Sequence, residues 1–182
     1  MRKAPAALRA QLVAHARHSL AECHLPRIER CLALLSAKEV WWRPHPTSNS
    51  IGNLLLHLNG NVRQWILAGL GGVPFERHRD LEFAERGPIP RRMLLARLRS
   101  TVREASRIIE NLLAGDLGRT FTIQGFRVTG MQAVLHVTEH FAFHTGQIIL
   151  VTKMKRQREL GFTRLPGVKQ RNRTRSSRLP AI

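Results

Sequence analysis

Long hydrophobic runs are missing from this chain of 182 residues. The longest are short, such as Leu54-Leu55-Leu56, whereas a membrane-spanning helix needs about 20 apolar residues in succession. Residues 1–25 carry four basic residues and three histidines, without the apolar segment of a signal peptide. We therefore expect neither an integral membrane protein nor a secreted one.

Cysteine is nearly absent, with only Cys23 and Cys31 in the whole chain. On one continuous helix their eight-residue spacing corresponds to about 12 Å, which is too far for a disulfide bond. Without a disulfide framework, the expected protein is reduced and cytoplasmic. Its 182 residues amount to about one domain, and a chain of this length can bury a sizeable core without covalent cross-links.

Acidic residues are scarce: 12 Asp and Glu stand against 30 Lys and Arg, a formal net charge of +18. Such a charge first suggests nucleic acid as a partner. However, ten of the basic residues and a single acid lie at or beyond Lys153. This short segment therefore carries a net charge of +9, half of the total. Residues 161–182 lack apolar periodicity and predict a basic, disordered tail that binds polyanions weakly or keeps the chain soluble. Beyond that weak contact, no nucleic acid partner is expected.

Residues 1–160 fit one domain of four long helices. Apolar residues recur at intervals of three and four, as in helices that bury one face. The predicted helices cover about residues 7–38, 50–69, 90–114 and 129–160. Pro26 either kinks the first helix or opens another at its first turn, and residues 119–128 predict a hairpin or an extended loop. The simplest arrangement is all-α, an up-and-down four-helix bundle.

The predicted fourth helix carries histidines at intervals of four, namely His136, His140 and His144. This spacing places the three imidazoles on one face of the helix. Imidazoles buried side by side without partners are costly, whereas neutral imidazole is a good metal ligand. The pattern indicates a divalent metal site, and structural or solvent-facing histidines are the alternative.

A polar residue occurs every four positions in the otherwise apolar second helix. These residues are Asn49, Asn53, His57 and Asn61. Buried polar side chains need hydrogen-bond partners, which a facing row of histidines supplies. His57 then contributes a third ligand from a different helix, as in the metal sites of helix bundles. A core histidine that is satisfied by hydrogen bonds is the alternative on the residues alone.

Two separated motifs resemble the DinB/YfiT-like metal-binding proteins, with a likeness that extends over about residues 20–155. The first motif is Trp42-Arg-Pro, followed by Ser48-Asn-Ser-Ile-Gly-Asn-Leu-Leu-Leu-His57-Leu and Gly60-Asn-Val-Arg-Gln-Trp65. The second is His140-x-x-x-His144-x-Gly-Gln147-Ile. The resemblance implies a four-helix bundle, often a homodimer. It also implies one divalent metal bound by His57, His140 and His144. Three imidazoles suit zinc, nickel, iron or copper, and of these transition metals we expect zinc or nickel.

The resemblance also bears on activity. Relatives of this type include transferases and isomerases that use low-molecular-weight thiols, and others are described as hydrolases. Three protein ligands leave coordination positions open for water or substrate. The expected protein is therefore a metal-dependent enzyme that transfers a thiol to a small electrophile, or a hydrolase that uses metal-activated water. A non-enzymatic, metal-stabilised protein with a polyanion-binding tail is the third interpretation.

Four further residues are candidates to support the ligands: Asn53, Asn61, His136 and Gln147. The two asparagines orient His57 or substrate, or they pack against the histidines. His136 supports the ligands, replaces one of them or belongs to the core. A dedicated general base is not evident, since Glu139 points about 100° away from its neighbour His140 on an ideal helix.

The long loop of residues 71–88 is the remaining feature of interest, because loops of this length are usually functional or carry structure of their own. The arginines around it are Arg63, Arg77, Arg79 and Arg86. They either clamp an acidic thiol or substrate, or pair with the loop's own acids in solvent. The tryptophans Trp41, Trp42 and Trp65 either pack the end of the bundle or form a platform for a ligand.

Overall fold

The first long helical stretch begins at Lys3 and ends at Leu34. In the computed structural model of the chain, which describes residues 3–162, α1 (Lys3–Arg17) continues through a π-helical segment, His18–His24, into α2 (Leu25–Leu34). Pro26 lies in the first turn of α2, where its missing N–H has no intrahelical partner to lose. Of the two alternatives for Pro26, the opening of a further helix is therefore the observed one.

This stretch ends four residues earlier than the predicted boundary at 38. Leu35 has extended backbone angles, and Ser36 caps a separate one-turn helix, α3 (Ala37–Val40). The Ser36 hydroxyl accepts from the Glu39 N–H, while the Glu39 carboxylate accepts from the Ser36 N–H. This reciprocal cap satisfies helix-terminal donors and explains why the chain restarts here rather than continuing.

The second long stretch is α4 (Ile51–Val62), which runs into a second π-helical segment, Arg63–Ala68. Ser50 and Asn53 form a capping box at its start, so the predicted N-terminus near residue 50 is confirmed. The long loop that follows carries a short helix, α5 (Arg79–Ala84). The expectation that this loop holds structure of its own is therefore correct.

The third and fourth long stretches are α6 (Arg91–Asn111) and α8 (Gly130–Arg156). Between them lie α7 (Ala114–Gly118) and an antiparallel hairpin of β1 (Thr120–Ile123) and β2 (Phe126–Thr129). Leu112 is extended, so α6 stops before the predicted boundary at 114. The capping box of Thr129 and Gln132 opens α8 as predicted. The last residue of α8 is Arg156, before the predicted boundary at 160, and Gln157 after it has the left-handed conformation.

One hydrophobic core joins these helices, because α4 contacts both α6 and α8, and α2 contacts α8. Phe141 is completely buried at its centre, together with Leu20, Ile28, Leu58 and Leu98. The prediction of a mainly helical fold is confirmed, while the four-helix bundle and its up-and-down order stay predictions. Both cysteines are free thiols. None of the helices within residues 3–162 is long and apolar enough to span a membrane.

The predicted tail of residues 161–182 lies outside the described residues, apart from Gly161 and Phe162. Leu160 is buried in the core, and Phe162 packs against it. The folded part of the chain therefore extends at least to Phe162, two positions past the predicted boundary.

Candidate metal centre

His57 on α4 faces His140 and His144 on α8. The Nε2 atoms of His57 and His140 are 2.9 Å apart, and one donor atom from each of the three residues lies within 4.8 Å of the others. The imidazole centroids of neighbouring pairs are separated by 4.5 to 5.0 Å. The structure thus brings together the three histidines that the sequence predicts as ligands.

Helical periodicity places each imidazole. His140 and His144 are one turn apart on α8, so both side chains project from the same face, and α4 presents His57 to that face. His57 is 5% exposed and His144 is 8% exposed, whereas His140 is only partly buried. The centre is therefore enclosed on the side of His57 and approaches the surface at His140.

Hydrogen bonds at the outer nitrogens set which ring atom faces the centre. Nδ1 of His57 is 2.8 Å from Oε2 of Glu82, and Nδ1 of His144 is 2.7 Å from Oε1 of Gln147. Both partners are acceptors, so each Nδ1 carries the proton and each Nε2 keeps its lone pair. Ligands of metals are commonly oriented in this way by a neighbouring acceptor.

Burial keeps the imidazoles of α8 neutral. It lowers the pKa of His140 to about 3, and the neighbouring His144 and His57 act in the same direction. Burial also lowers the pKa of His144, although its hydrogen bond with Gln147 opposes the change. Since the neutral imidazole is the form that binds metals, both residues are in the competent state at neutral pH.

A buried ion pair stands behind His57. Arg77 donates from Nε to Oε1 of Glu82 at 2.7 Å and from Nη2 to Oε2 at 2.8 Å. The side chains of Arg77 and Glu82 are only 3% and 11% exposed. Burial by itself raises the pKa of Glu82, but the hydrogen bonds from Arg77 and His57 outweigh it and leave this pKa below its ordinary value. Glu82 is therefore a carboxylate.

The loop that carries this pair packs against α4 and against the π-helical segment that follows it. Gly60 leaves room for it, because a Cβ there would lie 2.0 Å from Oε1 of Glu82. Arg77 also donates from Nη1 to Oε1 of Gln64 at 2.9 Å. At the first turn of α4, the Asn53 amide donates to the carbonyl oxygens of Glu82 and Glu85 at 2.8 and 2.9 Å. Asn53 thus reaches the centre only through the backbone of Glu82.

His136 lies beside the three histidines and outside their cluster. Its ring stacks on Trp65 with a centroid distance of 3.8 Å, and it is 5.4 Å from the ring of His140. Nδ2 of Asn61 is 3.2 Å from Nε2 of His136. Asn61 therefore contacts His136 rather than His57, and both residues line the flank of the centre next to a buried tryptophan.

The remaining arginines around the loop do not form a shared clamp. The Arg63 guanidinium lies over the Phe75 ring, and Arg79 lies over Phe83. Arg86 donates to carbonyl oxygens of its own loop, Phe83 among them. Of these four arginines, only Arg77 contacts a histidine. Arg77 pairs with an acid of its own loop, Glu82, as the second interpretation has it, but the pair is buried rather than in solvent. Glu139 is exposed on α8, as expected from its angle.

Trp41 and Trp42 both pack against neighbouring parts of the fold. Trp41 lies against Gly52 and Gly87 and donates its indole N–H to the carbonyl of Ile89. Lys155 sits 4.0 Å above the ring of Trp42. These contacts join the ends of helices, so the packing interpretation accounts for both residues.

Sequence reasoning missed Glu82 as a residue of the centre. It is one of several acids in the loop, and nothing in its spacing distinguishes it from Asp80 or Glu85. A weak signal was present in Gly60, because a glycine inside an apolar helix often marks a close packing contact. Gly60 lies one turn beyond His57, on the side where the ion pair packs.

The donor set fits a divalent metal. Three imidazoles, two of them with an acceptor at the outer nitrogen, are the ligand type of zinc and related ions. Two nitrogens on one zinc ion are at most about 4 Å apart, given bonds of roughly 2.0 Å, and the 2.9 Å between His57 and His140 lies within that limit. The donor atoms of all three histidines lie within 4.8 Å of one another, so the three residues could together hold one ion after a small approach.

Residues 9–167 match the family described as protein of unknown function, DUF1572. The chain belongs to the DUF1572 family. No curated protein matches it significantly. Among solved structures, this DUF1572 chain is similar to a DinB-like protein from Bacillus cereus, at 16% identity and a TM-score of 0.57. That match covers 72% of this chain and 85% of the other.

Two further structures share the fold. A DinB-like protein from Bacillus subtilis has 19% identity and a TM-score of 0.59, with coverage of 82% of this chain and 94% of the other. A conserved protein from Enterococcus faecalis has 16% identity and a TM-score of 0.62, with coverage of 83% and 96%. These likenesses and the family match confirm the resemblance to DinB/YfiT-like proteins.

Proposed function

We propose that this DUF1572 protein is a metal-dependent enzyme that transfers a low-molecular-weight thiol to a small electrophile. The observation that carries the proposal is the convergence of His57, His140 and His144, whose donor atoms lie within 4.8 Å of one another. Three protein ligands are typical of catalytic sites, because a coordination position stays open for substrate. A structural site usually has four protein ligands.

The residues around the centre favour a thiol over water as the nucleophile. A divalent metal with an open position lowers the pKa of a thiol or a water molecule that binds it. A free thiol has a pKa of about 8.5, so it needs little help to lose its proton at neutral pH. Hydrolysis gains more from a general base, and both oxygens of Glu82 are engaged by Arg77 and His57. Glu139 is exposed on another face of α8.

The side of the centre near His140 is where a small substrate has access. His140 is only partly buried, and Gln147 is exposed. Phe143 is 63% exposed beside them and stands edge-on to His144, at a centroid distance of 5.2 Å. An apolar ring and an amide at the edge of the site suit a small organic electrophile. They would orient it, while the histidines bind the ion.

The proposal also includes the four-helix bundle and the homodimer that the family resemblance implies, and the cytoplasmic location that the scarcity of cysteine suggests. The dimer has a direct test in the mass of the protein by light scattering at several concentrations. A monomer would remove the dimer from the proposal and leave the metal centre untouched.

The deciding experiment is elemental analysis of untagged protein beside a His57→Ala, His140→Ala double variant. We expect about one zinc or nickel ion per chain in the wild type and none in the double variant. The loaded protein is then mixed with thiols and electrophiles, and thiol consumption is followed. Hydrolysis of an ester or amide without thiol would support metal-activated water instead. Folded protein that takes up neither metal would overturn the proposal in favour of a non-enzymatic binding protein.

A further inference from the structure

We propose that Glu82 and Arg77 form a positioning pair for His57, in which Glu82 holds the Nδ1–H of His57 and Arg77 holds Glu82. The pair thereby fixes the tautomer and the ring orientation that direct Nε2 to the metal. This inference rests on the metal centre of the proposed function and assigns a role to the long loop of residues 71–88.

The geometry around Nδ1 of His57 leaves one consistent assignment of the proton. Oε2 of Glu82 lies 2.8 Å away and can only accept, and Nη2 of Arg77 lies 3.1 Å away and can only donate. Nη2 of Arg77 donates one of its two hydrogens to Oε2 of Glu82 at 2.8 Å, and an unprotonated Nδ1 would set its lone pair against that same carboxylate oxygen at 2.8 Å. Nδ1 of His57 therefore donates to Glu82, and the guanidinium pairs with the carboxylate rather than with the ring.

Arg77 makes this arrangement possible in a buried setting. An isolated carboxylate with 11% exposure would be costly, and the two-point contact with Arg77 keeps Glu82 charged and in one orientation. The pair has no net charge, so His57 gains an acceptor without adding negative charge to the centre. Both oxygens of Glu82 already accept hydrogen bonds from Arg77 and His57. The carboxylate is therefore held behind the His57 ring and does not itself bind the metal ion.

The chain holds the pair firmly in this place. Gln64 accepts from the other end of the guanidinium, and Gly60 provides the space in which Glu82 packs. Arg43 and Asn53 donate to the backbone carbonyl of Glu85 at 3.2 and 2.9 Å. A buried ion pair is often no more stabilising than apolar residues of the same volume, so this number of anchors around one histidine fits a positioning role.

The first test reads the tautomer directly, without metal. Nitrogen-15 NMR of the imidazoles at pH 8, with His57 assigned by a His57→Gln variant, distinguishes a proton on Nδ1 from one on Nε2. We expect His57 in the Nδ1–H form in the wild type, and a mixture or the opposite form in Glu82→Leu, which removes both acceptor oxygens. Docking of the loop alone would not move this signal, so the Nδ1–H form in Glu82→Leu would overturn the inference.

The second test measures affinity for Ni²⁺ by competition with a chromogenic chelator. Glu82→Leu is compared with Glu76→Leu, which makes the same change in the same loop at a side chain that is 87% exposed. Loss of a residue that orients a ligand typically costs about 10- to 100-fold in metal affinity. We expect a loss of that size in Glu82→Leu and wild-type affinity in Glu76→Leu. Equal affinities in the two variants would refute the inference.

Two outcomes separate this inference from the proposed function. The positioning pair alone is disproved if the wild-type protein binds one ion, the His57→Ala, His140→Ala double variant loses it, and Glu82→Leu keeps full affinity. Wild-type protein that binds no ion disproves the metal centre, and the NMR result still decides the hydrogen bond. If Glu82→Leu does not fold, Arg77→Lys replaces it: the lysine keeps the charge but loses the two-point contact, and the same losses are expected.

Discussion

His57 and His140 are 83 positions apart in the chain, and their Nε2 atoms lie 2.9 Å from each other. Neither ring can point elsewhere without losing contacts, because His57 is tied to Glu82 and His140 stands between His136 and His144 on one face of α8. Two nitrogen lone pairs that face each other at this distance would repel, so a proton or a cation must lie between the two Nε2 atoms. A shared metal ion would supply that cation, which is why the pair defines the candidate centre.

The histidines of α8 offer a matched comparison. His144 is one turn after His140 and inside the cluster, and His136 is one turn before it and stacked on Trp65. We expect His144→Ala to abolish binding of a stoichiometric metal ion and His136→Ala to retain it. Elemental analysis after dialysis against a weak chelator measures both. Metal loss in His136→Ala with retention in His144→Ala would require a different ligand set.

Gly60 tests the packing of the ion pair without changing its charges. A Cβ at this position would lie 2.0 Å from Oε1 of Glu82 and 2.9 Å from Nε of Arg77, so Gly60→Ala forces the pair away from His57. We expect about a tenfold lower affinity for Ni²⁺, although alanine favours a helix by about 1 kcal/mol over glycine.

The control for this variant is Gly115→Ala on α7, where a Cβ meets nothing within 4 Å. Its Ni²⁺ affinity should equal that of the wild type. An unchanged affinity in Gly60→Ala would mean that the pair can shift without disturbing His57.

Acid should destabilise the metal-free protein in a defined range. Burial lowers the pKa of His140 to about 3, while an unfolded histidine takes up its proton near pH 6.5. Between these values the unfolded chain binds more protons than the folded one, so the free energy of unfolding falls as the pH falls. Urea unfolding at pH 7.5, 6.0 and 5.0 measures this decline.

His140→Gln is the control for the pH dependence. The slope should decrease by up to about 1.4 kcal/mol per pH unit, the value for one proton. His144 and His136 also have pKa values lowered by burial, so a weaker decline should persist in the variant. A free energy of unfolding that rises on acidification would contradict the neutral, buried state of these rings.

Two phenylalanines on α8 separate the core from the surface. Phe141 is fully buried, and Phe143 is 63% exposed. Phe141→Ala should lower the free energy of unfolding by about 3–5 kcal/mol, because it leaves a cavity in the core. Phe143→Ala should change it by at most about 0.5 kcal/mol. Thermal or urea unfolding compares the pair, and similar losses in both variants would place Phe143 in an additional packed contact.

Phe143→Ala also bears on catalysis. Since Phe143 lies at the accessible edge of the centre, we expect a raised KM for an apolar electrophile with unchanged metal content. Steady-state kinetics on the metal-loaded variant measures this. Unchanged kinetics would assign the exposed ring to another contact, such as the proposed dimer.

The family resemblance and local signals together selected the three histidines that cluster, and local signals alone placed most helix starts. The four-residue spacing of His140 and His144 requires one helical face, and the polar positions of α4 require partners inside an apolar stretch. Capping residues act on the nearest turn, which is why Ser50 and Thr129 mark the starts of α4 and α8 correctly. The helix ends were less predictable, because Leu35 and Leu112 leave the helix without a glycine or proline at these positions.

The amino-acid sequence by itself determined the helical character, the three histidines and the order of the two motifs, because periodicity and capping depend on residues within one or two turns. Only the tertiary structure decided that Glu82 and Arg77, rather than the other charged residues of their loop, stand behind His57. That choice depends on the space above Gly60 and on the acceptor at Gln64. Packing between residues that are far apart in the sequence produces no periodic pattern from which it could be predicted.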